Sequence, residues 1–185
     1  TRVINMSNQD FYSPRSGGET IFTVPGSSVK FGPGSLREVG EDARALGLRR
    51  VVLFTDKNVV DTPSYATLIG GLAEAGIDAV IYDQVRVEPT DQSFRDAAAF
   101  AAQENVNGFV SLGGGSVIDT AKVANLISCY PDDLMAYVNA PIGEARQVPG
   151  RLKPHIACPT TSGTGSETTG VAVFDIPASQ VKTGI

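Results

Sequence analysis

The sequence predicts an α/β fold: an open, mainly parallel sheet with helices on both faces and an N-terminal β-hairpin. Three observations carry this. Short apolar runs at Val51 to Phe54, Ala79 to Tyr82, Phe109 to Leu112 and His155 to Cys158 alternate with helix-like stretches. Each run is short and largely apolar, as strands covered on both faces should be. A turn of three glycines, Gly113-Gly114-Gly115, joins the third run to the stretch that follows.

Residues 1–20 are polar, lack a sustained period and contain Pro14 and Gly17-Gly18, so they read as an extended arm, disordered or docked on a partner subunit. The α/β domain then occupies 21–185. Ile21 to Val24 and Val29 to Phe31 flank Pro25-Gly26-Ser27-Ser28, which predicts the hairpin. Ser35 and Glu38 have capping-box spacing, and Leu36, Val39, Ala43 and Leu46 recur at helical intervals up to Gly47. After the first strand, Leu68, Leu72 and Ala75 mark a helix closed by Gly76. After the second, Asp91 opens an Ala-rich helix through Glu104. Ser116 to Ser128 form the helix after the glycines, and Pro131 to Val138 hold a short one. A Pro- and Gly-containing loop leads to the fourth strand, and apolar runs at 171–174 and 181–185 read as two more strands.

Composition narrows the function. A chain of 185 residues, 42% hydrophobic and 19% charged, is a globular domain burying roughly 70% of its unfolded surface. No apolar run approaches the ~18 residues of a membrane-spanning helix, so no membrane partner is expected. A net charge of −5 with dispersed Lys and Arg argues against nucleic acid. Cys129 and Cys158 supply neither a disulfide framework nor a CxxC metal site and read as core or near-core residues in a reducing compartment. No secretory signal is visible, and a start at Thr1 implies a processed, trimmed or omitted beginning.

In an open α/β sheet the ligand crevice lies beyond the carboxyl ends of the strands. Four small or polar segments fall there: Thr55 to Asn58, Glu88 to Thr90, Gly113 to Ser116 and Pro159 to Thr164. The glycines can bring backbone N–H groups close to an anion, and the helix start adds its positive end; a plain strand-to-helix turn is the alternative. Ser116 either caps that helix or donates to a phosphate. Asp119, one turn in, would repel a phosphate and so reads as reaching a ribose hydroxyl. Asp56 suits the adenosine ribose hydroxyls of NAD and would repel the 2′-phosphate of NADP, or it is a helix N-terminal aspartate. Thr160, Thr161 and Thr164 offer hydroxyls to a nicotinamide ribose and pyrophosphate, or form an empty polar loop. The GxGxxG fingerprint, HExxH, Cys/His zinc spacing and GxSxG are all absent. His155, the sole histidine, reads as a core or edge imidazole.

At Asp56-Lys57, Glu88-Pro89-Thr90, GGGSVIDTAK, PTTSGTGSETT and Lys182 the sequence resembles the iron-containing (group III) alcohol dehydrogenases. Within that family it is most similar to the hydroxyacid-oxoacid transhydrogenases, through FGPGSLREVG, TDKNV, VRVEPTD, NAPIG, LKPHIACPTTSGTGSETTGVAVFD and VKTGI. The resemblance implies an N-terminal NAD(P)-binding α/β domain, and a helical C-terminal domain whose Asp and three His hold iron or zinc. Only the first would be present here. By motif position it assigns Asp56, Glu88, Gly115, Ser116, Asp119, Thr160, Thr161, Thr164 and Lys182 to the cofactor, beside Gly113 and Gly114 of the glycine turn, and no catalytic or metal residue; Asp56 favours NAD over NADP. Glu88 stands where relatives often have Asn. The implied reaction oxidises 4-hydroxybutyrate and reduces 2-oxoglutarate through bound NAD; these residues alone would be inactive. Small-molecule hydroxyacid or alcohol substrates, a homo-oligomer, and a cytoplasmic (bacterial) or mitochondrial matrix (eukaryotic) setting follow from the same resemblance. Alternatives are an alcohol or diol dehydrogenase, a non-catalytic NAD-binding module, or a dehydroquinate synthase-like lyase.

Overall fold

The computed structural model describes residues 27–185. Four parallel strands, β1 (Arg50–Phe54), β2 (Asp78–Tyr82), β3 (Gly108–Gly113) and β4 (His155–Pro159), lie in the order β2-β1-β3-β4. β3, central and buried at all six residues, separates two apolar layers. On one face Val51, Leu53, Val110 and Leu112 pack under α1 (Val39–Ala45) and α3 (Pro63–Glu74), through Val39, Ala43, Leu68 and Leu72. On the other, Val52, Phe54 and Phe109 meet α4 (Asp91–Gln103) and α5 (Gly115–Cys129), through Ala97, Ala101, Val117, Ala121 and Ala124. Both faces are covered by helices, as the continuous apolar runs predict.

Local chemistry sets the helix starts. Thr62 accepts from the Tyr65 N–H ahead of Pro63, and Thr90 forms a reciprocal capping box with Ser93. A one-turn helix, α2 (Lys57–Val60), precedes α3. α6 (Leu134–Tyr137) is the expected short helix, capped by Asp133. The loop after it is anchored by buried Asn125, whose side chain bonds both the Lys153 N–H and C=O.

Three expectations change, and two segments go untested. The first arm of the hairpin, Ile21 to Val24, and the arm at 1–20 lie outside the described residues. Its second arm, Val29 to Phe31, is not a strand: Phe31 is 99% exposed, so no burial supports a ladder there. Ser35 does not cap α1. Residues Ser35–Glu38 form a 3-10 turn behind Gly34, and Glu38 pairs with Lys30 at 2.8 Å, which takes the side chain that a capping box needs. The last two strands, β5 (Val173–Ile176) and β6 (Val181–Gly184), form a separate antiparallel ribbon instead of extending the sheet. Phe174 and Ile176 bury against Phe94, Val123 and Leu134, so the apolar runs serve a third cluster.

α1 and α3 touch through glycine. A Cβ on Gly40 would lie 2.0 Å from the Gly71 carbonyl oxygen and 2.7 Å from Ala75 Cβ. Gly40→Ala should therefore destabilise the domain by about 1–3 kcal/mol, the usual cost of overpacking; an unchanged denaturation midpoint would contradict this contact. The edge of the sheet generates a second expectation. His155 Nε2 lies 2.8 Å from the hydroxyl oxygen of buried Ser111, and burial, then the charge of Lys122, pushes the imidazole pKa down to about 4. Unfolded, the ring protonates near 6.5. Between these values the unfolded chain binds the extra proton, so stability should fall as pH drops from 6.5 towards 4, by up to about 3 kcal/mol. His155→Gln should flatten that slope in urea titrations run across the range. Burial pushes the Cys158 thiol up to about 12, and the residue packs partly buried against the layer under α1 and α3.

Candidate functional site

β1 is followed by α2 and α3 and leads to β2 on one side; β3 is followed by α5 and leads to β4 on the other. The direction of winding thus reverses between β1 and β3, and their carboxyl ends define the crevice of a doubly wound sheet. Thr55, fully buried, ties the two ends together by donating its hydroxyl to the Leu112 carbonyl at 2.9 Å. Sequence reasoning gave Thr55 no role; its signal was a hydroxyl directly after an apolar strand.

The β3-to-α5 turn stands at this point. Gly114 occupies the N-cap position of α5, without a side-chain cap, so Ser116 is not the cap. Its hydroxyl oxygen instead accepts from the Glu88 N–H at 3.3 Å, which brings in the loop after β2. Glu88 has φ 56° and an exposed side chain. The Thr160 N–H donates to the Gly113 carbonyl at 2.9 Å and brings in the loop after β4. Three of the four predicted segments are therefore hydrogen-bonded together, and the fourth begins at Thr55, which is tied to the end of β3.

The glycines ease this approach. A Cβ on Gly114 would lie 3.3 Å from Thr161 Oγ1; one on Gly115 would lie 3.1 Å from Ser166 Oγ and 3.2 Å from Thr164 Cβ. The backbone N–H groups of Gly114, Gly115 and Ser116 make no hydrogen bond to any described residue. Free N–H groups at the start of a fifteen-residue helix suit an anion.

Asp56 caps α2: its Oδ1 accepts from the N–H groups of Asn58 at 2.8 Å and Val59 at 3.3 Å. Its Oδ2 makes no hydrogen bond among the described residues, so the helix-terminal placement leaves one carboxylate oxygen for a ligand. Thr160, Thr161 and Thr164 are exposed. Asp119 departs from its sequence reading. It is buried, Oδ1 accepts from Lys122 Nζ at 3.3 Å and Oδ2 from the Val173 N–H at 3.0 Å, so both oxygens are engaged within the chain. Lys182 lies on β6, exposed and 2.9 Å from Asp175. The ribbon reaches the loop after β2 through the Asp175 N–H, which donates to the Pro89 carbonyl at 2.8 Å. Among the described residues no three His, Cys, Asp or Glu side chains stand close enough to share a metal ion. No described helix is long and apolar enough to cross a membrane.

The chain is 51% identical over 165 residues to the mitochondrial hydroxyacid-oxoacid transhydrogenase of Bos taurus, covering 89% of this chain and 35% of that protein. It thus spans about a third of the length of that relative. Its fold superposes on a 1,3-propanediol oxidoreductase with a TM-score of 0.80 at 31% identity, over 90% of this chain and 42% of the other. It also superposes on a sulfoacetaldehyde reductase from Bifidobacterium kashiwanohense in complex with NAD+, with a TM-score of 0.78 at 26% identity, over 90% and 43%. The sequence pattern of the iron-containing alcohol dehydrogenases matches residues 26–185, and the chain belongs to that family.

Proposed function

We propose that this chain is the nucleotide-binding half of an NAD-dependent hydroxyacid-oxoacid transhydrogenase. The observation that carries the reading is the run of three free N–H groups at Gly114, Gly115 and Ser116, at the switch point of the sheet and walled by Thr161 and Thr164. A pyrophosphate matches such a site in charge and in its need for close backbone approach. The Ser116 hydroxyl, whose oxygen already accepts from Glu88, keeps its proton to donate to a phosphate. Asp56 would accept from the adenosine ribose hydroxyls with its free oxygen. Thr160, Thr161 and Thr164 would hold the nicotinamide side, while Glu88 and Lys182 would border the crevice from the loop after β2 and from the ribbon.

When bound, the nicotinamide supplies hydride transfer. The residues described here bind and orient it. Asp119 serves from behind, through the ribbon. The family name implies iron, but the described residues supply no ligand set for it, and no step is assigned to a metal here. Hydroxyacid and oxoacid substrates, and a mitochondrial setting, are carried over from the named relatives. We further propose a homo-oligomer.

Two measurements test the reading in the full-length protein. Calorimetry should show NAD binding more tightly than NADP, and Asp56→Gly should cost about 1–3 kcal/mol in NAD binding and narrow the preference. Equal or reversed affinities would remove the role of Asp56. Gly115→Val should abolish NAD binding in a protein that still unfolds cooperatively, because the new side chain meets Ser166 and Thr164. Unchanged affinity in that variant would refute the cradle.

A further inference from the structure

In an antiparallel ribbon each strand turns alternate residues' backbone groups toward its neighbour and the others outward. Ala172 exchanges both bonds with Ile185, and β5 continues that register with β6, so Val171, Val173 and Asp175 face outward. An outward edge takes its partners from water or from the rest of the protein. The Asp175 N–H finds one in the Pro89 carbonyl, as a strand would. The next two groups are met by side chains. Lys122 Nζ donates to the Val171 carbonyl at 2.8 Å, and the Val173 N–H donates to Asp119 Oδ2 at 3.0 Å.

Asp119 and Lys122 are three residues apart on α5 and paired at 3.3 Å, with side chains only 8% and 17% exposed. One acceptor and one donor, held at that spacing, stand in for a short neighbouring strand. An exposed pair of this kind would contribute little. The side chains of this one are largely buried, and each member also holds an outward backbone group of the ribbon. Burial pushes the Lys122 pKa down, with Asp119 and Glu167 opposing it.

We infer that Asp119 and Lys122 are positioning residues for the cofactor crevice: they hold the ribbon, and with it Lys182 and the far end of the Thr160 to Ser166 loop, in register with the start of α5. Lys182 stands directly across the ladder from Asp175, so a shift of β5 shifts Lys182. The inference rests on the nucleotide-binding reading, and its test separates the two.

In the full-length protein, NADH affinity is measured by fluorescence for wild type, Lys122→Met, Lys122→Arg, Lys182→Ala, the Lys122→Met/Lys182→Ala double variant and Gly115→Val. Methionine keeps the stem and removes the ammonium. Lys122→Met and Lys182→Ala should each weaken NADH binding, by about 5- to 20-fold for Lys122→Met, on the scale of a lost charged hydrogen bond. Lys122→Arg should recover most of the loss, and the double variant should lie within about twofold of the worse single one, because both changes act on one contact. Wild-type affinity in folded Lys122→Met, no loss from Lys182→Ala, no recovery with Arg, or losses that multiply in the double variant would each overturn the positioning role. If Gly115→Val abolishes binding while Lys122→Met does not affect it, only this role fails; if Gly115→Val also binds normally, the nucleotide site and this inference fail together. Should Lys122→Met not fold, Asp119→Asn takes its place in the series, keeping an acceptor for the Val173 N–H while losing the charge.

Discussion

The structure depends on how closely the backbone after β3 can approach its surroundings. Gly113, Gly114 and Gly115 let the end of the central strand, the start of α5 and the loop after β4 meet at distances that a row of Cβ atoms would prevent. Gly113 makes room for Val117, Gly114 for Thr161, and Gly115 for Ser166 and Thr164. Because this loop is bonded to Gly113 and the loop after β2 to Ser116, one turn gathers three of the four strand ends. The same approach leaves three N–H groups unbonded among the described residues, so one constraint shapes both the packing and the proposed anion site.

The remaining elements hold this turn still. Two apolar layers clamp β3 on both faces, and Thr55 locks its end to β1 from within the core. Phe94 and Phe174, with ring centroids 5.1 Å apart, anchor the ribbon beneath α4. Along its outer edge the ribbon is tied to α5 by Asp119 and Lys122. The polar residues of α5 thus divide the work: its first turn faces the crevice, and the next faces the ribbon.

Much of this was legible in the sequence, because a strand buried on both faces must be apolar throughout and its covering helices must repeat every three to four residues. That holds for Val51 to Phe54 and for the Ala-rich stretch from Asp91. The crevice was legible for the related reason that polar residues directly after buried strands have little else to cover. What escaped depends on partners distant in sequence. Nothing local to Ser35 and Glu38 reveals that Lys30 pairs with Glu38 and with Asp42. Nothing local to Val173 says that its strand joins a separate ribbon. Asp119 was read from its place on the helix and the expected ligand, whereas its partners are a lysine one turn on and an N–H 54 residues away.

The central claim is that a dinucleotide places its pyrophosphate on the N–H groups of Gly114, Gly115 and Ser116. The most direct measurement is an NMR titration of isotopically labelled protein with NAD, following the amide resonances of these three residues. The account predicts that all three shift together with Thr160, Thr161 and Thr164, along one binding curve, while amides at the opposite ends of the strands, such as Asn107, stay in place. Saturable NAD binding that leaves Gly114, Gly115 and Ser116 unmoved would contradict it.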